Sequence, residues 1–158
     1  IWLSTIANMN TALKFCINHS DAISLAAHLS CCDAAFVPPL SKRVDIKTYA
    51  KKLTEKSLLF EAWHEDLLVG TIAIYCNNIQ NHTAFITNVS VLPSWQSQKI
   101  ATYLMNKCLD YFTTKEFRII ELEVDHRNDA AIAFYEKFGF LTTSKIDTSS
   151  IMQFNIKN

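Results

Sequence analysis

HTAFITNVSVLPSWQSQKIATYLMNKCLDYF, residues 82–112, changes its periodicity part-way. Residues 82–91 read as a strand. From Ile100 onward the apolar positions Ile100, Ala101, Leu104, Met105, Cys108, Tyr111 and Phe112 form one helical stripe, which predicts a helix over 96–112. Pro93 and the hexamer Gln96-Ser97-Gln98-Lys99-Ile100-Ala101 lie at the junction. The run FRIIELEV, residues 117–124, reads as a second strand. A strand, a helix and a strand in this order form a right-handed crossover, so the two strands are expected to be parallel neighbours. The helix start then falls at the carboxyl edge of the sheet, where ligands tend to bind. Loops that hold a pyrophosphate at a helix start usually carry glycine. Here Lys99 and Ala101 stand instead.

The remaining elements can be placed around this unit. TALKFCI, residues 11–17, alternates and suits a first strand. Ser20 or Asp21 can cap a helix running to about Leu29, which Phe36-Val37-Pro38-Pro39 then breaks. Asp45 can cap a second, basic helix through Lys56, with Ile46, Tyr49, Ala50 and Leu53 on one face. Residues 58–64 and 67–77 flank Glu65-Asp66 as a hairpin. Residues 128–138 form a helix between the N-cap Asn128 and the terminator Gly139. Residues 140–143 and 151–156 close the chain as strands. The expected class is α+β, with a mixed, mostly antiparallel sheet of six to seven strands flanked by about four helices.

Composition narrows the function classes. The 158 residues suit one domain, and an apolar fraction of 49% suits a sizeable core. Formal net charge is zero, which argues against a nucleic-acid partner. No apolar run approaches the ~18 residues of a membrane span. Five cysteines without a CxxC read as free thiols in a reducing cytoplasm, and the adjacent Cys31-Cys32 as helix filler. The five histidines are scattered, so no metal site is expected. IWLSTIANM lacks the charged flank and cleavage site of a signal peptide. Residues 1–9 are set apart as an N-terminal extension or remnant, and 10–158 are taken as one domain.

Only two glycines occur, Gly70 and Gly139. A chain so poor in glycine is expected to keep one where backbone geometry asks for it. Seven residues separate Asn128 from Tyr135, which sets both on one helix face. Glu123 lies five residues before Asn128, near a strand end.

NVSVLPSWQSQKIATYL and LEVDHRNDAAIAFYEKFGF together resemble the two signature motifs of the GNAT-type N-acetyltransferases. In that family a strand and V-x-P turn lead into (Q/R)-x-x-G-x-(G/A), and the second motif is N-x-x-A-x-x-x-Y-x-x-x-G-F. The second matches at every family position; the first departs at Lys99, where glycine is usual. The resemblance implies a single acetyltransferase domain that uses acetyl-CoA as co-substrate. It implies that backbone groups of Val89, Ser90 and Val91 pair with the pantetheine arm. The loop from Gln96 would lead into backbone N–H groups of Ser97, Gln98, Lys99, Ile100, Ala101 and Thr102 that hold the pyrophosphate, and Asn128 would touch the arm. The ribosomal-protein N-terminal acetyltransferase branch carries the same L-E-V-x-x-x-N spacing. Its roles imply Glu123 as general base and Tyr135 as general acid.

The chemistry stands on its own terms. An alkyl amine with pKa near 10 is neutral in only about one molecule in a thousand at pH 7. A base is therefore needed, and Glu123, Asp125, His126 or water could fill that role. The leaving thiolate can take a proton from a phenol. A free N–H at Val89 could stabilise the oxyanion. If Lys99 takes helical angles, its stem can point away and its ammonium fold back toward the phosphates. The basic segment with Lys42, Arg43, Lys47, Lys51 and Lys52 suits an acceptor with phosphate or carboxylate, such as a nucleotide-linked amino sugar, better than a polyamine. The expected partners are acetyl-CoA and an amine, on a monomer or homodimer without nucleic acid or membrane. A protein N-terminal or lysine acetyltransferase is the alternative acceptor class. A non-catalytic CoA-binding or interaction module of the same fold is the alternative without turnover.

Overall fold

A computed structural model describes residues 13–156. In chain order its elements are β1 (Leu13–Ile17), α1 (Ala22–Cys32), α2 (Ile46–Lys56), β2 (Leu58–His64), β3 (Leu67–Asn78), β4 (Thr83–Val91), α3 (Ile100–Thr113), β5 (Ile119–Asp125), α4 (Asp129–Phe138), β6 (Leu141–Ile146) and β7 (Ser149–Asn155). The strands form one sheet in the order β1-β2-β3-β4-β5-β7-β6. All neighbours are antiparallel except β4 and β5, which run parallel across the α3 crossover. This is the expected α+β class and the expected parallel pair. Residues 1–9, and the first two residues of the strand expected over 11–17, lie outside the described residues.

Local signals explain most boundaries. Asp21 caps α1 by accepting from the Ser24 N–H at 2.8 Å, and Asp45 caps α2 by accepting from the Thr48 N–H at 3.1 Å. α1 runs past Leu29 to Cys32, because Leu25, His28, Leu29 and Cys32 extend its buried stripe by another turn. The helix expected over 96–112 is split. Pro93–Gln98 is a 3-10 turn, Lys99 adopts φ 59°, and α3 begins only at Ile100. The last two strands also shift, to Leu141–Ile146 and Ser149–Asn155, because they pair with each other as an edge hairpin.

Both faces of the sheet are covered. Leu25, Leu29, Ala50 and Leu53 from α1 and α2 pack on Leu59, Trp63, Leu68 and Ala73. Ile100, Leu104, Met105, Cys108 and Phe112 from α3 pack on Phe60, Ile72, Ile74, Ala84, Ile120 and Leu122. Burying each of the leucine, isoleucine, methionine and phenylalanine side chains among these contributes about 1.5–3 kcal/mol before entropy is counted. The buried Glu61 carboxylate fastens the β1–α1 turn to the sheet. It accepts from the His19 N–H (2.9 Å), the Ser20 N–H (3.1 Å), the Trp63 indole N–H (3.1 Å) and the Ser20 hydroxyl. A buried charge satisfied by so many donors replaces much of its lost hydration.

The two glycines serve different needs. Gly139 takes φ 105° at the end of α4. Gly70 is instead a contact position: a Cβ there would stand 2.8 Å from Ile100 Cγ2 and 3.3 Å from Leu104 Cδ1. Gly70→Ala is therefore expected to destabilise the fold by about 1–3 kcal/mol by wedging α3 off the sheet. Urea denaturation checks this, and an unchanged midpoint would show that α3 yields freely.

Candidate active site

The β4–β5 ladder pairs residues 83–86 with 119–122 and goes no further. At that point β4 carries a bulge: Ile74 faces Ile86 while Ala73 faces Asn88, so Thr87 is the extra residue. A bulge bends its strand and increases its twist. Beyond it β4 stays paired with β3 up to Val91, while β5 stays paired with β7 up to Asp125. The two strands diverge and leave a cleft of about 520 Å³.

The cleft brings together Val89, Ser90, Val91, Gln96, Glu123, Asn128 and Tyr135. Ser97, Gln98, Lys99, Ile100, Ala101 and Thr102 are not among its lining residues. Ile100 is 1% exposed and its side chain belongs to the core, so only its backbone could serve a ligand. Asn128 accepts from the Ala131 N–H at 3.2 Å as the cap of α4. Tyr135 follows two turns later on the same face, with Phe134 and Phe140 rings 5.5 and 5.7 Å away. Burial pushes its phenol up to about 12, so it keeps its proton at neutral pH.

The carboxylates at the end of β5 differ in availability. Glu123 is exposed on the cleft wall, and Ser149 donates to its Oε1 at 2.7 Å. Asp125 receives Nε and Nη2 of Arg127, each at 2.9 Å, and the Arg127 N–H at 2.9 Å. These bonds hold its carboxyl down at about 2. That makes Asp125 a poorer proton acceptor than an unpaired carboxylate. His126 is exposed and does not line the cleft.

Beneath the β4 wall runs a polar chain that a scattered set of histidines did not reveal. His28 is 3% exposed. Its Nδ1 donates to the Leu68 carbonyl at 2.9 Å, and its Nε2 lies 2.9 Å from Ser90 Oγ. The Ser90 hydroxyl also reaches Asn88 Oδ1 at 2.9 Å. Burial lowers the His28 pKa, which favours the neutral ring. Tyr49 from α2 adds a contact to Thr87 Oγ1 at 2.9 Å, at the bulge. The available signal was position: His28 sits between Leu25 and Leu29 on the apolar stripe of α1. Cys32, 3.7 Å from the same imidazole, also lines the cleft; burial pushes its thiol up to about 11, so it is no nucleophile at neutral pH.

Lys99 does not take the helical angles that would let it open the helix. At φ 59°, ψ 27° it occupies the left-handed region, where glycine is at ease and a side chain is strained. No side chain caps α3, whose first intrahelical bond runs from the Tyr103 N–H to the Lys99 carbonyl at 3.0 Å. The N–H groups of Ile100, Ala101 and Thr102 therefore sit at a helix start without intrahelical partners.

The sequence matches the model of the acetyltransferase (GNAT) family over residues 23–140. It is 38% identical over 76 residues to an uncharacterised N-acetyltransferase of Methanocaldococcus jannaschii, covering 46% of this chain and 34% of that one. The chain thus spans about a third of that relative's length. Its fold is similar to the ribosomal-protein-S18-alanine N-acetyltransferase of Escherichia coli, with TM-score 0.68 and 21% identity over 92% of this chain and 96% of that one. It is also similar to the PaiA N-acetyltransferase of Thermoplasma acidophilum in complex with coenzyme A, with TM-score 0.68 and 15% identity over 90% and 99% of the two chains.

Lys99→Gly is expected to stabilise the fold by up to about 1 kcal/mol by relieving the left-handed strain, while Lys99→Ala keeps it. Urea midpoints of the two variants check this, and equal midpoints would place no strain at residue 99.

Proposed function

We propose that this chain, which belongs to the acetyltransferase (GNAT) family, transfers the acetyl group of acetyl-CoA to a primary amine of a small molecule. The observation that carries the reading is the parted β4–β5 pair, with Tyr135, Asn128 and Glu123 all lining the cleft it opens. Transfer is direct, within a ternary complex. The free edge of β4 at Val89, Ser90 and Val91 receives the pantetheine arm as an added strand. Backbone N–H groups from Ser97 to Thr102 receive the pyrophosphate at the start of α3. Asn128 adds a contact to the arm while capping α4.

The proton transfers follow from the cleft residues. Holding an alkyl amine neutral at pH 7 costs about 4 kcal/mol. Glu123 takes that proton, directly or through one water; its Oε1 is steadied by Ser149. The amine nitrogen bonds to the thioester carbon, and the Val89 N–H donates to the resulting oxyanion. The carbon–sulfur bond then breaks, and Tyr135 gives its proton to the leaving thiolate. A phenol held near 12 is a weak acid, but it is fully protonated wherever the enzyme works.

A second acceptor class has its own support. The spacing of Leu122, Glu123, Val124 and Asn128 matches the ribosomal-protein branch, and the Escherichia coli neighbour acts on a protein alanine. A protein N-terminal amine is therefore the alternative acceptor.

Calorimetric titration of acetyl-CoA tests the cofactor half of this reading; clear binding is expected, and none would favour an interaction module without turnover. Tyr135→Phe should lower kcat about 10²- to 10⁴-fold with an unchanged melting temperature. Unchanged turnover would remove Tyr135 as the acid. Because its phenol is held near 12, any fall in rate between pH 8 and 10 should persist in that variant. Glu123→Gln should flatten the acidic limb of the pH–rate profile, since a base fails once protonated. An identical limb would assign the proton to water or His126.

A further inference from the structure

The basic segment before and along α2 resolves into groups with different surroundings. Of Lys42, Arg43, Lys47, Lys51 and Lys52, only Arg43 lines the cleft. Lys52 sits 5.5 Å over the Tyr75 ring, and Lys42 opens on a shallower groove before α2. Arg43 lines that groove as well, so it stands where the two concavities meet. The other cleft arginine, Arg127, is consumed by Asp125 in the one ion pair among the described residues. Arg43 thus has no carboxylate partner there.

Asp125 and Arg127 cancel. Glu123 remains, with no partner described for its Oε2, and Arg43 remains. One uncompensated anion and one uncompensated cation line the same space. The Glu123 end suits an ammonium or a nascent proton. The Arg43 end presents a planar fork of donors, suited to a carboxylate or a phosphate.

We propose that Arg43 anchors an anionic group of the acceptor, so that the substrate is a small primary amine bearing a carboxylate or phosphate. The assignment rests on the acetyltransferase reading above. The cleft of about 520 Å³ must also take the thioester end of acetyl-CoA, which keeps the acceptor small. A polyamine would set a second cation against Arg43. A neutral amine would gain nothing from the guanidinium, which is exposed to solvent.

The test uses the full chain and acetyl-CoA with matched amines: glucosamine against glucosamine 6-phosphate, ethanolamine against phosphoethanolamine, and alaninamide against alanine. Spermidine and an alanine-initiated peptide complete the panel. Product is read by chromatography, because Cys31 is an exposed thiol and would disturb a thiol-reactive dye. The acid-bearing member of at least one pair should show a kcat/KM higher by about 10- to 100-fold. Whether the phosphate or the carboxylate pair responds identifies the anion. In Arg43→Gln that ratio should fall toward one through KM, and Arg43→Lys should restore part of it. Calorimetric acetyl-CoA affinity serves as the control for folding and cofactor binding. Equal use of both members, preference for spermidine or the peptide, or a ratio untouched by Arg43→Gln overturns the assignment. Acetyl-CoA binding with no turnover on any panel member also overturns it. Absence of acetyl-CoA binding overturns the underlying activity instead.

Discussion

A parallel ladder between residues 83–86 and 119–122 joins the two halves of the sheet, and its early end shapes the rest of the molecule. Backbone donors and acceptors next to such a gap must find other partners or meet solvent. β4 remains tied to β3 on its other side, and β5 to β7, so each wall stays regular while the space between opens. The Thr87 bulge starts the divergence, Tyr49 contacts it, and the His28–Ser90–Asn88 chain supports the wall beyond it. The site is therefore built mainly by backbone that has lost its partner. Tyr135 and Glu123 line a space that they did not create.

The fold was legible wherever its cause was local. Asp45 before an apolar-periodic run, Asn128 and Gly139 bracketing a helix, and Glu65-Asp66 between two alternating runs each carry their geometry in neighbouring residues. The parallel pairing of β4 and β5 was legible from connection handedness. Lys99 misled because Gln, Ser and Lys are tolerated in a helix, so nothing in composition marks a left-handed turn between a 3-10 segment and α3. Glycine would have marked it. The Thr87 bulge has no sequence signature at all, since it is a mismatch with β3 and not a property of β4.

The site was legible by spacing but not by state. Asn128 and Tyr135 were placed on one face correctly because a helix enforces it. That Asp125 is spent on Arg127, two residues away, required the turn geometry that aims the guanidinium back. His28 was missed because a histidine on an apolar stripe looks like filler until its two ring nitrogens find Leu68 and Ser90. Ser149, which steadies Glu123, comes from β7 and is 26 residues distant, beyond any local reading.

The short β4–β5 ladder also divides the sheet. β1 to β4 form one plate and β5, β7 and β6 another, with α3 as a spine packed against both. No strand pairing bridges the plates on the cleft side of Ile86 and Leu122. The ladder closes one end of the cleft, and beyond it the edge of β4 that faces β5 has no strand to pair with. A guest laid along that edge would stand in the place of the missing strand.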